Sequence, residues 1–270
     1  MRNLYSQYIN DHNVEGSNKA SSYIRALDLL SGIINKNVWE IREPQQIEDI
    51  YEEILVQQRR GERGLFQGQE YPSYWRNRFY SAALKSYQQF LVLESYEGDL
   101  WKIYNSPTIA ASELSRRLSE KEIKGVKFIL PKDGQKGKDV MREVKARLNQ
   151  NFFRKMVLSN YNTQCCLTGL NIPEVLRASH ILAWSESEEN RLNPANGLCL
   201  SATYDLAFDR FLISFNEEYR MMLSPRLREY YTNQAFQEYF KSYEGKPLAM
   251  PSRFKPSQEF LEIHRERTLR

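Results

Sequence analysis

The chain has 270 residues, of which 41% are hydrophobic, 13% aromatic and 27% charged, with a formal net charge of +4. This composition is globular, sufficient for one large domain or two modest ones, and no run of about 18 apolar residues exists to form a transmembrane helix. The N-terminal MRNLYSQYINDHN lacks a basic stretch leading into an apolar core, so a cytoplasmic location is expected, and the mild positive charge permits a nucleic-acid partner without requiring one.

Residues 1–95 read as helical. Tyr23, Leu27, Leu30 and Ile34 recur at three- and four-residue steps behind the polar starter Ser17-Asn18. Ile47, Ile50, Tyr51, Ile54 and Leu55 repeat the pattern after Pro44, a residue suited to a first helical turn. A third helix is predicted from near Pro72, carrying Trp75, Phe79, Ala82, Ala83, Tyr87, Phe90 and Leu91. Between the second and third lies RRGERGLFQGQEYPSYWRN. Arginines hold phosphates and aromatic rings stack on bases, which makes Arg59, Arg60 and Arg63 candidate DNA contacts. For Tyr74 and Trp75, capping of a helical core is the simpler reading.

Residues 96–140 are mixed and polar. One short apolar strand is predicted at 126–130, followed by a Gly/Lys-rich turn. Residues 126–138 are therefore the expected linker between a mainly helical domain at 1–125 and a second domain at 139–270. Lys132, Lys136, Lys138, Arg142, Lys145 and Arg147 form a basic cluster, read either as solvated surface or as a strip that attracts phosphate; Lys145 is the DNA contact picked from it.

A helix is predicted over 139–160, with Val140, Val144, Leu148, Phe152 and Met156 at helical spacing. The chain turns at TGLN, then 176–183 reads as a strand and 184–195 as a loop. The apolar NGLCL leads into a helix opening near Ser201. Residues 212–215 and 219–223 read as a hairpin, and 226–240 as a final amphipathic helix. The expected class is α+β, a helical N-terminal domain followed by a strand–strand–helix unit with flanking helices. The three cysteines, Cys165, Cys166 and Cys199, are odd in number and form no pair of CxxC motifs. They are read as buried, reduced thiols rather than as a structural zinc site.

The chemistry concentrates between residues 177 and 209. Hydrolysis of a phosphodiester needs an activated water, charge stabilisation at phosphorus and help for the leaving oxygen; a histidine can supply the first and a divalent metal the others. His180 lies in the predicted strand. Asp205 and Asp209, four apart on the predicted helix, project from one face and suit Mg²⁺ or Mn²⁺ better than Zn²⁺. Asn196 can brace its loop, bind the imidazole's second nitrogen, or contact metal or phosphate. Taken singly, a histidine in a strand is commonly a satisfied structural residue, an Asp pair a solvated face and Asn-Gly a turn. Their joint spacing on strand, loop and helix is the signal.

This spacing resembles the HNH, or ββα-metal, endonucleases. It is closest to a bacterial restriction-type branch with the pattern Cys-x-x-Thr-Gly, Ser-His-Ile, Asn-Gly-Leu, Asp-x-x-Phe-Asp. Those motifs correspond to Cys165, Thr168 and Gly169; Ser179-His180-Ile181; Asn196-Gly197-Leu198; and Asp205, Phe208 and Asp209. The resemblance covers roughly residues 140–225. It implies that His180 is the general base, that Asn196 is the central loop-bracing residue, and that Asp205 stands where the final His of the name would be, as a metal ligand with Asp209 as a second. Ser179 occupies the place where many relatives carry an acidic or His metal ligand, and serine is a weak one.

The expectation is a metal-dependent endonuclease of restriction or defence type acting on double-stranded DNA, with Arg177 and Arg210 as phosphate contacts. A two-strand cut from one site per chain is simplest with a homodimer. The competing readings are a catalytically degenerate DNA-binding protein and a toxin-like nuclease acting on RNA or single strands.

Overall fold

Pro44 opens a helix that continues to Arg60, and its buried side chains Ile47, Ile50 and Ile54 fall at the spacing that lines one face. The computed structural model of the protein describes residues 1–129 and 136–270. Its helices, among the described residues, are α1 (Arg2–Asp11), α2 (Lys19–Ile33), α3 (Pro44–Arg60), α4 (Pro72–Arg76), α5 (Phe79–Tyr104), α6 (Ala111–Glu120), α7 (Lys136–Asn160), α8 (Ala202–Asp209), α9 (Gln234–Tyr239) and α10 (Gln258–Leu269). The strands are β1 (Leu176–His180), β2 (Gly197–Ser201), β3 (Ile213–Phe215) and β4 (Met221–Leu223). They form two antiparallel pairs, β1 with β2 and β3 with β4. The fold is α+β. No helix among the described residues is long and apolar enough to cross a membrane.

The chain forms two compact units, Met1–Gly98 with Glu122–Arg142, and Asp99–Lys121 with Glu143–Arg270. The first is helical. Tyr5, Leu27, Leu30, Ile47, Ile54, Tyr80, Leu84 and Tyr87 fill its core. Trp75 is buried there and stacks on Phe66 at 5.9 Å, so it serves the core. Arg59, Arg60 and Arg63 are exposed on this unit.

The second unit takes in Asp99–Lys121, where the sequence reading puts these residues with the helical domain. The reason is specific bonding. The Ser115 hydroxyl donates to the Glu189 carbonyl, Arg253 Nη1 to that of Tyr104, and Lys145 Nζ to that of Ser119. Lys145, expected to contact DNA, is thereby tied to the C-terminal end of α6.

Other expectations need correction. The helix predicted from Pro72 is broken at Asn77 and Arg78, where Arg78 takes a φ of 59°. The strand predicted at 126–130 is a 3-10 turn at Val126–Phe128, following Gly125 at a φ of 77°. Lys132 and most of the expected linker, together with the side chains of Lys136 and Lys138, lie outside the described residues. The helix predicted over 226–240 is a 3-10 segment, Pro225–Tyr230, and then the short α9. The break falls at Asn233, whose side chain caps α9 by accepting from the Phe236 N–H. The helices α1, α6 and α10 are additions to the predicted set.

Candidate active site

The β1–β2 pair fixes where the histidine points. Antiparallel register sets His180 opposite Gly197 and Ser179 opposite Leu198. Every residue of β2 is buried, whereas in β1 only Leu176 and Ser179 are, so β2 is the inner strand. Gly197 is required by packing: a Cβ there would lie 2.5 Å from Val157 Cγ2 and 3.0 Å from Phe153 Cζ of α7. The Cys165–Gly169 motif closes a turn in which the Gly169 N–H donates to the Cys165 carbonyl, with Gly169 at a φ of 75°. The turn is pinned to β2 by the bond from the Cys166 N–H to the Cys199 carbonyl. All three cysteines are free and buried, and burial raises the Cys199 thiol to about 12.

Asn196 holds the loop between the strands. Its Oδ1 accepts from the Leu182 N–H at 2.8 Å, and its Nδ2 donates to the Leu182 and Asn190 carbonyls at 3.1 and 3.0 Å. The residue is 1% exposed. Of the roles open to it in the sequence, this geometry is the loop brace. No bond joins it to the imidazole. That bond comes from the braced loop itself: His180 Nε2 lies 3.1 Å from the Arg191 carbonyl. A carbonyl only accepts, so Nε2 carries the proton and Nδ1 keeps the lone pair. The ring lies flat on Phe153, centroids 3.7 Å apart, and edge-on to Trp184 at 5.5 Å. Burial lowers the His180 pKa from its ordinary value, an effect partly offset by the bond to Arg191. Burial thus favours the neutral form of the imidazole.

Ser179, His180, Asp205 and Asp209 line one cavity of about 620 Å³, together with Arg177. Ser179 Oγ donates to Asp205 Oδ1, so the serine orients a carboxylate. Asp209 has its pKa raised, first by desolvation and then by the charge on Asp205, against a smaller lowering by Arg210. Arg210 is exposed just beyond the end of α8 and lies outside the cavity lining.

Several lining residues were not singled out in the sequence. Arg154 sits next to Phe153 on α7, whose apolar spacing reads only as core. Glu186 and Arg267 join across the cavity wall in an ion pair at 2.7 Å, and His264 stacks on Phe208 at 3.7 Å. Arg267 and His264 come from α10, which has no motif to betray it. A hint for Arg154 was its place in FFRK, just ahead of the Cys-x-x-Thr-Gly turn.

Do these residues fit a metal ion? Asp205 and Asp209 are hard oxygen donors one helical turn apart; the Asp209 pKa is raised first by desolvation and then by the charge on Asp205, and a cation bound by both carboxylates would relieve the second effect. Among the described residues, no three His, Cys, Asp or Glu side chains form a group that could hold a metal. The two carboxylates are the kind of donor that a hard divalent cation with several solvent ligands would use.

Two antiparallel strands feeding a short helix, with a neutral imidazole on the first strand and two carboxylates on the helix, define a ββα nuclease unit. Residues 165–216 match the family model for HNH endonucleases, and this segment is an HNH domain. Nucleases of that family generally use a divalent metal ion. No curated protein matches the chain. The family match spans His180, Asn196, Asp205 and Asp209 and begins after Phe153 and Arg154.

Proposed function

We propose that the protein is a metal-dependent DNA endonuclease of restriction type, with His180 as general base. One observation carries the reading: His180 is anchored through Nε2, which leaves Nδ1 unprotonated, and the residue lines the same cavity as Asp205 and Asp209. The Nδ1 lone pair takes the proton of the attacking water. Phe153 and the Asn196-braced loop hold the ring in place, so little reorganisation accompanies proton transfer. Asp205 and Asp209 would hold Mg²⁺ or Mn²⁺, with Ser179 steering the Asp205 carboxylate. When bound, the cation would stabilise charge developing on the phosphate and the leaving oxygen. Arg177 and Arg210 contact phosphates beside the site. Double-strand cutting calls for two chains related by symmetry, which light scattering on cognate DNA checks.

The test is plasmid cleavage with Mg²⁺ or Mn²⁺. His180→Ala should abolish cutting while the protein stays folded and binds DNA; wild-type rates in that variant would overturn the assignment. Ser179 at a ligand position favours a second reading, a DNA-binding protein that has lost catalysis. Absence of plasmid nicking by wild type with Mn²⁺ would select it. Parallel assays on single-stranded DNA and RNA decide the substrate.

A further inference from the structure

Two guanidinium groups meet at one backbone oxygen beside the site. The Leu176 carbonyl accepts from Arg154 Nη1 at 2.7 Å and from Arg177 Nη1 at 2.9 Å. Arg154 Nη2 also donates to the Pro173 carbonyl at 3.1 Å, and Arg177 Nη1 to that of Glu174 at 3.0 Å. Every one of these acceptors is a backbone carbonyl within 173–176. Among the described residues neither arginine makes an ion pair, whereas Arg191, Arg220 and Arg267 of the same unit each face a glutamate. Both arginines line the cavity that holds His180, Asp205 and Asp209.

This arrangement sets two like charges side by side. Two cations that cannot lose their protons share one acceptor, Arg154 partly buried and Arg177 exposed, and carbonyl dipoles offset only part of their repulsion. A bound anion supplies the missing charge. The carbonyls also fix both side chains in advance, so that less freedom is lost on binding, and each guanidinium keeps further N–H donors for a ligand. Phosphate geometry suits such a planar fork.

We propose that Arg154 and Arg177 form a fixed two-cation clamp for a phosphodiester of the bound nucleic acid; the inference rests on the nuclease reading of this cavity. Arg154 thereby adds a substrate-binding residue from α7, ahead of the segment that matches the HNH family. Its partner Arg177 acts as half of a pair, not as an isolated rim charge.

The experiment measures binding of a mixed-sequence DNA duplex by His180→Ala protein across a salt series, alone and with Arg154→Met or Arg177→Met added. Each lost phosphate contact should lower the slope of log affinity against log salt by about one. At fixed salt it should weaken binding roughly tenfold. Melting temperatures check folding. Arg154→Met releases the Pro173 and Leu176 carbonyls and is the variant more exposed to misfolding. Arg177→Met, whose acceptors are its own near neighbours in sequence, keeps the test decisive: an unchanged slope in that folded variant overturns the clamp. A parent that binds no DNA overturns it as well. Wild-type plasmid cutting is scored in parallel. Cutting with unchanged slopes rejects the clamp and leaves the nuclease reading standing, whereas lowered slopes without cutting uphold the clamp and reject the nuclease.

Discussion

Phe153 lies flat against His180, ring centroids 3.7 Å apart and planes 12° from parallel. The contact shields one face of the imidazole from water and helps to lower its pKa below the ordinary 6.5. A base must be deprotonated to act, so the acid limb of the pH–rate profile should fall below pH 6.5. Phe153→Ala admits water to the ring and should move that limb upward toward 6.5. Plasmid cleavage followed from pH 5 to 8 measures both. A wild-type limb at or above 6.5 would count against a buried neutral base.

The paired carboxylates yield a prediction that needs no catalysis. Mg²⁺ at about a hundred times its dissociation constant should stabilise the wild-type fold by about 2.7 kcal/mol. Asp205→Asn with Asp209→Asn should remove that gain and raise stability in metal-free buffer, because Asp209 is then neither desolvated as a charge nor repelled by Asp205. Thermal melts with and without Mg²⁺ read the difference. A full Mg²⁺ shift in the double variant would exclude these residues as ligands.

The brace and its neighbour should be sensitive for different reasons. Asn196→Ala leaves the Leu182 N–H and two carbonyls without their side-chain partner in a buried loop, a loss of roughly 2–4 kcal/mol. Gly197→Ala drives a methyl group against Val157 and Phe153 and should destabilise by about 1–3 kcal/mol. Urea denaturation tests both; stability changes below about 0.5 kcal/mol in either would contradict the packing described.

His264 predicts acid sensitivity. Its ring is stacked on Phe208 and donates through Nε2 to the Phe208 carbonyl, and burial lowers its pKa to about 4. The unfolded chain, with an ordinary value near 6.5, then binds more protons than the folded one between those limits. Stability from this group is complete above pH 6.5 and declines as pH falls toward 4, by roughly 3 kcal/mol in all. His180 acts in the same direction. Denaturation midpoints at pH 7, 6 and 5 should fall accordingly, and His264→Gln should flatten the trend. An equally steep decline in that variant would assign the loss to other groups.

Much of the site is legible in the sequence because its determinants are local. The short strand around His180, the Asn-Gly start of β2 and the four-residue step from Asp205 to Asp209 each depend on residues close in the chain, where local strand and helix preferences act directly. The helices at 19–33 and 44–60 are legible for the same reason. Less visible is the break at Arg78, where nothing in the apolar spacing signals a left-handed backbone. The end of the 226–240 helix is hidden because an Asn233 cap competes with a continuous apolar stripe.

The sequence by itself determined the chemical inventory: one strand histidine, one loop asparagine and two helix carboxylates in the order of an HNH nuclease. Only the tertiary structure decided what each touches. It turned Ser179 toward Asp205, handed the imidazole N–H to the Arg191 carbonyl, and brought Arg154 and the α10 residues His264 and Arg267 to the cavity. Those contacts join residues up to about a hundred positions apart. They are set by which faces bury together and which carbonyls are left to accept, and neither is written in the spacing of any one segment.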